Sequence, residues 1–327
     1  MVVTGDMRME RFEYTAVIRT LGTAGAKYQQ LLDSLQAQTA APHAILVYIA
    51  EGYPLPKETI GTERYIYVKK GMVAQRALPY DEVQTEWMLF LDDDLYLPPN
   101  FVEMLYDPIV ENDADVISPD IFPNHERSFL GKMMMAVSGR MFPRRDDGKW
   151  GYKVIRTGGY SYNNHPTKSV YQSQTNAGAC FLCRKGDFEK IHFEDELWMD
   201  MLGYPVGEDQ VMYYKMHLSN LKQLTSYHTG IIHLDAGDNR NPQKERMLLY
   251  ADLRFKILFW YRFLYSQEKN FLMKTWDILC LTYLLFFAIF ISFVKCRWDI
   301  LKVKWQAIKD ARSLIKSGEV TAYKLNS

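Results

Sequence analysis

Apolar residues along the chain change period several times. Four short runs are almost continuously apolar: "YTAVIRT" (Tyr14–Thr20), "HAILVYIAEG" (His43–Gly52), "RYIYVKKG" (Arg64–Gly71) and "EWMLFLDDD" (Glu86–Asp94). Such runs, rich in β-branched and aromatic residues and closed by charged residues, Gly or Pro, predict apolar strands. Between the first two, "KYQQLLDSLQAQT" puts Leu31, Leu32 and Leu35 on one helical face. "VAQRALPYDEVQ" is helical in composition, although Pro79 interrupts it. The resulting order, β-α-β-β-α-β, predicts an α/β fold with a mostly parallel sheet covered by helices.

Residues 120–175 lose the pattern. "PRRDDGKWG" and "TGGYSYNNHP" are rich in turn formers and predict long, irregular connections. Strand character returns in "TNAGACFLCRK" (Thr175–Lys185). "GEDQVMYYKMHL" (Gly207–Leu218) predicts a helix with Glu208 and Asp209 in its first turn. "GIIHLDAGDNR" predicts a last strand running into a polar loop.

From residue 243 the chain reads differently, so two units are expected, 1–242 and 243–327. "LRFKILFWYRFLY" interleaves aromatics with Arg254, Lys256 and Arg262. Ile278 to Val294 is a 17-residue run without a charge, at the lower edge of the roughly 17–25 residues a spanning helix needs. Beyond it, Trp298, Leu301, Trp305 and Ile308 recur at helical spacing among Lys302, Lys304, Lys309 and Arg312, as in a basic interfacial helix. In-plane or hairpin insertion, a true span and a packing or oligomer surface are all open at this point.

Charge sharpens this picture. Lys+Arg and Asp+Glu both total 39. From Lys244 onward there are 15 basic and 7 acidic residues, a net of +8, which leaves 24 and 32, a net of −8, in the first 243. An acidic body with a basic aromatic tail predicts a tail that meets an anionic membrane surface. At 48% hydrophobic the chain can bury a core. Four cysteines make no disulfide framework, and Cys180 and Cys183 in "ACFLC" are expected to be core residues. "MVVTGDMRMERFEYT" contains no apolar signal segment. A reducing, cytosolic setting fits these features, and no nucleic-acid partner is expected.

The candidate chemistry sits at strand ends. In α/β sheets ligands bind beyond the carboxyl ends of strands, and Arg19-Thr20, Glu51 and Asp92–Asp94 all lie there. Three adjacent carboxylates repel one another unless something cationic offsets them. Clustered hard oxygen donors suit Mg²⁺ or Mn²⁺ and, through the metal, a diphosphate. The plainer alternative is that these aspartates cap the following loop.

The residues in this order resemble a family 2 glycosyltransferase of the GT-A fold, of the bacterial surface-glycan type. "YTAVIRT" resembles the first nucleotide-binding strand, and "LLDSLQAQTAAPHAILVYIAEG" the helix and second strand. "GMVAQRA" resembles the segment whose Arg contacts the nucleotide sugar. "WMLFLDDDLYLPPNF" resembles the DxD metal motif, "TNAGACFLCRK" the strand beside the acceptor site, "GEDQVMYYKM" the motif carrying the catalytic base, and "IIHLDAG" the late strand whose His joins the metal. The resemblance covers about residues 14 to 235. It implies a Rossmann-like, mostly parallel sheet and inverting transfer from a nucleotide sugar, with UDP as the expected carrier. Asp92 and Asp94, with His233, would hold Mn²⁺ or Mg²⁺. Arg19, Thr20, Glu51, Arg76, Asp92 and Asp93 would contact the donor. Asp209 would be the base, and Glu208 would orient the acceptor or the base.

Some positions depart from the family pattern. Glu51 stands where Asp is usual, and Ala77 follows Arg76 where Asn is usual. His228 and His217 compete with His233. No QxxRW-like segment follows the "GED" motif, which argues against a processive synthase. The expected function is addition of one sugar to a lipid-linked or surface-glycan precursor. The site of action would be the cytoplasmic face of the inner membrane, with the enzyme peripheral or held by one short anchor. The alternatives are transfer to a polyprenyl phosphate, a non-catalytic nucleotide- or glycan-binding module, and a nucleotidyltransferase, for which "RTLGTAGAKY" gives little support. Sugar, acceptor and oligomeric state are open.

Overall fold

The computed structural model describes residues 12–121, 127–204, 206–234 and 241–324. The expectations about residues 1–11 and about the loop over 235–240 lie outside the described residues. Strand β1 (Tyr14–Thr20), helix α1 (Ala26–Gln36), β2 (Ala44–Ala50), β3 (Glu63–Val68) and β4 (Trp87–Asp92) come first. They are followed by β5 (Leu95–Tyr96), α2 (Phe101–Asn112), β6 (Val116–Pro119), α3 (Phe129–Val137) and three short strands, β7 (Met141–Arg144), β8 (Tyr152–Val154) and β9 (Tyr160–Asn163). Then come β10 (Val170–Gln172), β11 (Cys180–Arg184), α4 (Lys185–Glu189), a 3-10 helix (Phe193–Leu202), α5 (Glu208–Leu218), β12 (Gln223–Ser226) and β13 (Ile232–His233). The remainder is helical: α6 (Pro242–Phe259), which continues as a π-helical segment over Trp260–Tyr265, α7 (Phe271–Val294) and α8 (Trp298–Ser317).

Eight strands form the main sheet in the order β10-β12-β6-β11-β4-β1-β2-β3. The block β4-β1-β2-β3 is parallel throughout, as is the β6–β12 pair, while β11 runs antiparallel between β4 and β6. The α/β class and the mostly parallel sheet are therefore as the apolar runs predict. The four near-continuous runs did not announce the reversal at β11. Buried strands of either direction read alike, because both faces are covered.

Alternation along each strand divides the core in two. Ile18, Val47, Leu89, Leu91 and Leu182 face α1 and α2, whose Leu31, Leu32, Leu35, Phe101 and Leu105 close that side. Leu46, Met88, Phe90 and Phe181 face the other way, toward Val211 and Met212 of α5. Phe255 and Phe259 of α6 and Phe263 of the π-helical segment join this second layer. Burying each such ring contributes roughly 1.5–3 kcal/mol, so the first part of the basic tail helps to hold the sheet together. Cys180 and Cys183 fall in opposite layers and both remain free thiols. Burial pushes both thiols well above their usual range, as expected of core residues.

Two expectations are corrected. No helix forms over Val73–Gln84; the segment is a series of turns. Asp200 accepts hydrogen bonds from the backbone N–H of Val73 (3.0 Å) and Ala74 (2.8 Å), and Tyr80 adopts a left-handed φ of 50° just after Pro79. Helical composition loses here to the proline. Residues 120–175 are not merely irregular: they carry α3 and the three-stranded sheet β7-β9-β8. Those strands are only three or four residues long, too short for a period to show.

Candidate active site

Parallel pairing sets Arg19 on β1 opposite Asp92 on β4. The guanidinium grips the carboxylate with two bonds, Nε to Oδ1 at 2.5 Å and Nη2 to Oδ2 at 3.1 Å. The next pair along continues the contact: the Thr20 hydroxyl bonds Asp93 and accepts from the backbone N–H of Gly22 at 2.8 Å. Asp94, after the turn, faces His233, with Nε2 3.2 Å from Oδ2. β13 delivers that histidine by pairing antiparallel with β5, so that His233 lies opposite Leu95. Of the three candidate histidines, His233 is the one that reaches the aspartates. His217 shares a hydrogen bond with Gln174 at 3.0 Å, and His228 lines a separate cavity.

The three aspartates are not equivalent. Burial raises the Asp92 carboxyl, but Arg19 and Arg76 outweigh it and hold it below its usual range. Burial, opposed by the Thr20 hydrogen bond and reinforced by the charges of Asp92 and Asp94, pushes Asp93 up to about 6. Among the described residues no three His, Cys, Asp or Glu side chains close around one metal-sized point. Asp92 engages both guanidinium groups, whereas Asp94 and His233 present an oxygen and a nitrogen donor at the cavity wall.

That cavity has a volume of about 630 Å³. Arg19, Thr20, Asp92, Asp93, Asp94 and His233 line one side. Lys27, Lys70, Gln75 and Asp200 line it as well, and sequence reasoning named none of these four. Lys70 stands just beyond the carboxyl end of β3, so the strand-end rule that drew attention to Glu51 could have found it. Asp200 had no such signal, since it reaches Val73 from a 3-10 helix far along the chain. Glu51 itself is exposed and does not line the cavity.

Arg76 is placed differently from the expectation. It is 3% exposed and does not line the large cavity. Its guanidinium bonds Asp209, Asp92 Oδ1 (3.3 Å) and the carbonyl of Gly178 (2.6 Å), and lies 3.6 Å from Glu208. One buried cation therefore joins the aspartate cluster to the "GED" segment. Gly207 starts α5 in a left-handed conformation, φ 85°, with the Phe255 ring pressed where a side chain would be. Glu208 and Asp209 occupy the first turn, where the helix dipole favours acids. Glu208 is buried, and burial and the Asp209 charge push its carboxyl up against the pull of Arg76 and Arg19. Asp209 keeps a partly open face, with its side chain 32% exposed.

Residues 64–191 match the family model for glycosyl transferase family 2. The match contains Arg76 and Asp92–Asp94, and lies outside Arg19, Asp209 and His233. No curated protein matches the chain. Among solved structures, that of GalNAc-T7 with UDP, GalNAc and Mn²⁺ is similar, with a TM-score of 0.48 and 12% identity. The alignment covers 82% of this chain and 55% of that one, so this chain spans little more than half the length of that neighbour.

Proposed function

From the match of residues 64–191 to its family model, we propose that the chain belongs to glycosyl transferase family 2. From that premise we propose that it moves one sugar, with inversion, from a nucleotide-diphosphate donor to a hydroxyl of a lipid-linked or surface-glycan precursor at the cytoplasmic face of a membrane. The observation that carries this reading is the convergence at the ends of β1 and β4. Arg19, Thr20, Asp93, Asp94 and His233 surround one cavity, and Arg76 ties that cluster to Asp209.

The donor diphosphate would lie in the cavity, where Arg19, Lys27 and Lys70 supply positive charge and charge-assisted hydrogen bonds. Asp94 and His233 fit a hard divalent cation such as Mn²⁺ or Mg²⁺, their donors being a carboxylate oxygen and an imidazole nitrogen. Such an ion, when bound, offsets diphosphate charge. Asp209 would take the proton of the acceptor hydroxyl as that oxygen bonds to the anomeric carbon. Arg76 fixes the Asp209 carboxylate, and alignment of this kind supplies a large share of rate enhancement. Glu208 would orient this pair from within the core. UDP is the expected carrier.

In this reading residues 1–242 form the catalytic unit and 243–327 attach it to the membrane, with α6 also completing the core. A second reading, transfer to a polyprenyl phosphate, is favoured by one contact. An acceptor that arrives as an anion needs no base, and Asp209 would then serve to hold Arg76. The deciding experiment is calorimetric titration of the full chain with UDP and with GDP, each with and without Mn²⁺. Metal-dependent binding of one nucleotide supports the donor site and names the donor class. A folded protein that binds neither removes both nucleotides from the proposal.

A further inference from the structure

Helix α3 is built inside out for a helix in water. Phe129, Leu130, Met133, Met134 and Val137 are 84, 62, 44, 36 and 42% exposed. Their spacing, i, i+1, i+4, i+5 and i+8, places them on one stripe. The opposite side carries the cation: Lys132 donates inward to Asn164 at 2.8 Å. Ser128 caps the first turn by accepting from the Gly131 N–H at 3.2 Å, so the helix is a formed element with its apolar stripe outward.

Helix α7 does the same on a larger scale. Its 24 residues are predominantly apolar, and few of them are buried. Phe271, Trp276, Leu279, Phe286, Phe290 and Phe293 are between 47 and 78% exposed. The two helices adjoin. The Tyr283 hydroxyl donates to the Val137 carbonyl at 2.5 Å, and Gly139 packs against Tyr283 and Leu284. Their outward residues thus border one another, and the basic, tryptophan-bearing α8 follows directly, with Lys295, Arg297 and Trp298 exposed at the junction.

At about 1.5 Å per residue α7 is long enough to cross a bilayer, but its inner face forbids it. Leu284 and its neighbours pack along α6 and α8. Asp277 near one end is held by Arg156 at 3.2 Å. Near the other end Lys304 donates to the Ala288 carbonyl (2.8 Å) and the Ser292 hydroxyl (2.9 Å). A crossing helix would draw Arg156, Lys304 and the charged side of α8 into hydrocarbon, at a cost of several kcal/mol for such groups.

We propose that α3 and the outward side of α7 form one surface that lies in the plane of an anionic lipid bilayer, with α7 half-immersed rather than spanning. Cations and tryptophans beside exposed aliphatic and phenyl rings match the headgroup and acyl layers of such a surface. The inference rests on the membrane-associated reading above and extends it to the catalytic body. α3 reaches Asn164, which lines a second cavity of about 470 Å³ with Asp120, His165 and His228. The wall of that cavity runs to Ile231, two residues short of His233. A lipid-linked acceptor would then approach the site without leaving the headgroup layer.

The test adds the full chain to preformed sealed vesicles of phosphatidylethanolamine and phosphatidylglycerol and measures sedimentation. Phe129→Glu with Met133→Glu should weaken partition by about tenfold or more, while Tyr67→Glu, exposed on the far edge strand, should not. In a Cys280→Ser background, Cys296, exposed just past α7, should react with a membrane-impermeant maleimide added outside. Wild-type partition by the α3 variant overturns the role of α3, and a protected Cys296 overturns the in-plane orientation. If the α3 variant instead turns a dimer into a monomer and leaves partition untouched, the surface belongs to a second copy of the chain and the proposal fails. Absence of any vesicle binding by the wild type would sink the membrane reading itself, leaving the donor site to be judged by calorimetry.

Discussion

Gly178 and Asp209 approach so closely that residue 178 has no room for a side chain: a Cβ there would fall inside the Asp209 carboxylate. The Gly178 carbonyl also accepts from Arg76, which bonds the same carboxylate. The position of Asp209 is thus fixed by a backbone and a buried cation. Gly178→Ala should push the carboxylate out of line and lower transfer by about 100-fold. Nucleotide affinity should stay close to wild type, while moving the carboxylate off its buried cation should lower the melting temperature. Unchanged turnover in this variant would mean that the position of Asp209 does not matter to the reaction.

Asp209→Asn keeps the shape of the side chain and removes its capacity to take a proton. It should bind donor nucleotide normally and lose transfer to a neutral hydroxyl by about 100-fold or more. Full activity with a neutral acceptor would overturn the assignment of Asp209 as base. Activity retained only with a polyprenyl phosphate would select the second reading.

Asp94 and His233 stand together at the cavity wall, whereas Glu51 is exposed and away from it. Asp94→Asn and His233→Ala should each reduce Mn²⁺-dependent nucleotide affinity, by on the order of 10- to 100-fold. Glu51→Ala should leave it unchanged. Calorimetry with and without Mn²⁺ separates these outcomes, and a strong effect from Glu51→Ala would require a donor pose outside this cavity.

Arg76 compensates Asp92, Glu208 and Asp209 at once. Replacing it with Ala leaves Asp209 without this cation and Asp92 and Glu208 with Arg19 alone, and breaking a buried pair typically costs about 3–5 kcal/mol. Arg76→Ala should therefore lower the denaturant midpoint markedly as well as abolishing transfer. A variant as stable as wild type would mean that solvent or another cation replaces the guanidinium.

Acid sensitivity should localise in part to α6. Burial raises the Asp252 carboxyl, but Lys256 and Arg140 outweigh it and hold it below its usual range. A carboxylate depressed in the folded state adds stability above its unfolded pKa, and that stability is lost as pH falls through the folded value. Asp252→Asn should therefore be less stable than wild type at neutral pH. The gap should narrow as pH drops below about 4, near the unfolded carboxylate value. Denaturant midpoints of the two proteins across this range check the sign.

The parts of this protein legible in its sequence are those governed by short-range rules. Near-continuous apolar runs give the α/β class because strands covered on both faces must be apolar at every position. Strand ends then mark Arg19, Thr20 and Asp92–Asp94, since side chains beyond a buried strand are the first free to meet a ligand. The Gly-Glu-Asp start of α5 is legible for the same kind of reason, in the left-handed turn and the helix dipole. Residues 64–191 carry enough of this local pattern to match the family.

Tertiary structure decided what depends on residues far apart in the chain. Arg76 looks like a ligand contact in its own segment, but Asp209, 133 positions away, draws it inward. The partner of the Val73 and Ala74 N–H groups, Asp200, lies more than 120 positions away and could not be read from the segment itself. The strands beside α3 were too short for a period to appear. The outward stripe of α3 has the same residues it would have in a core, and only packing against Asn164 and Tyr283 shows which side faces out. Local sequence sets what each segment can form. Which of its faces meets protein, ligand or lipid is set by partners that local sequence does not contain.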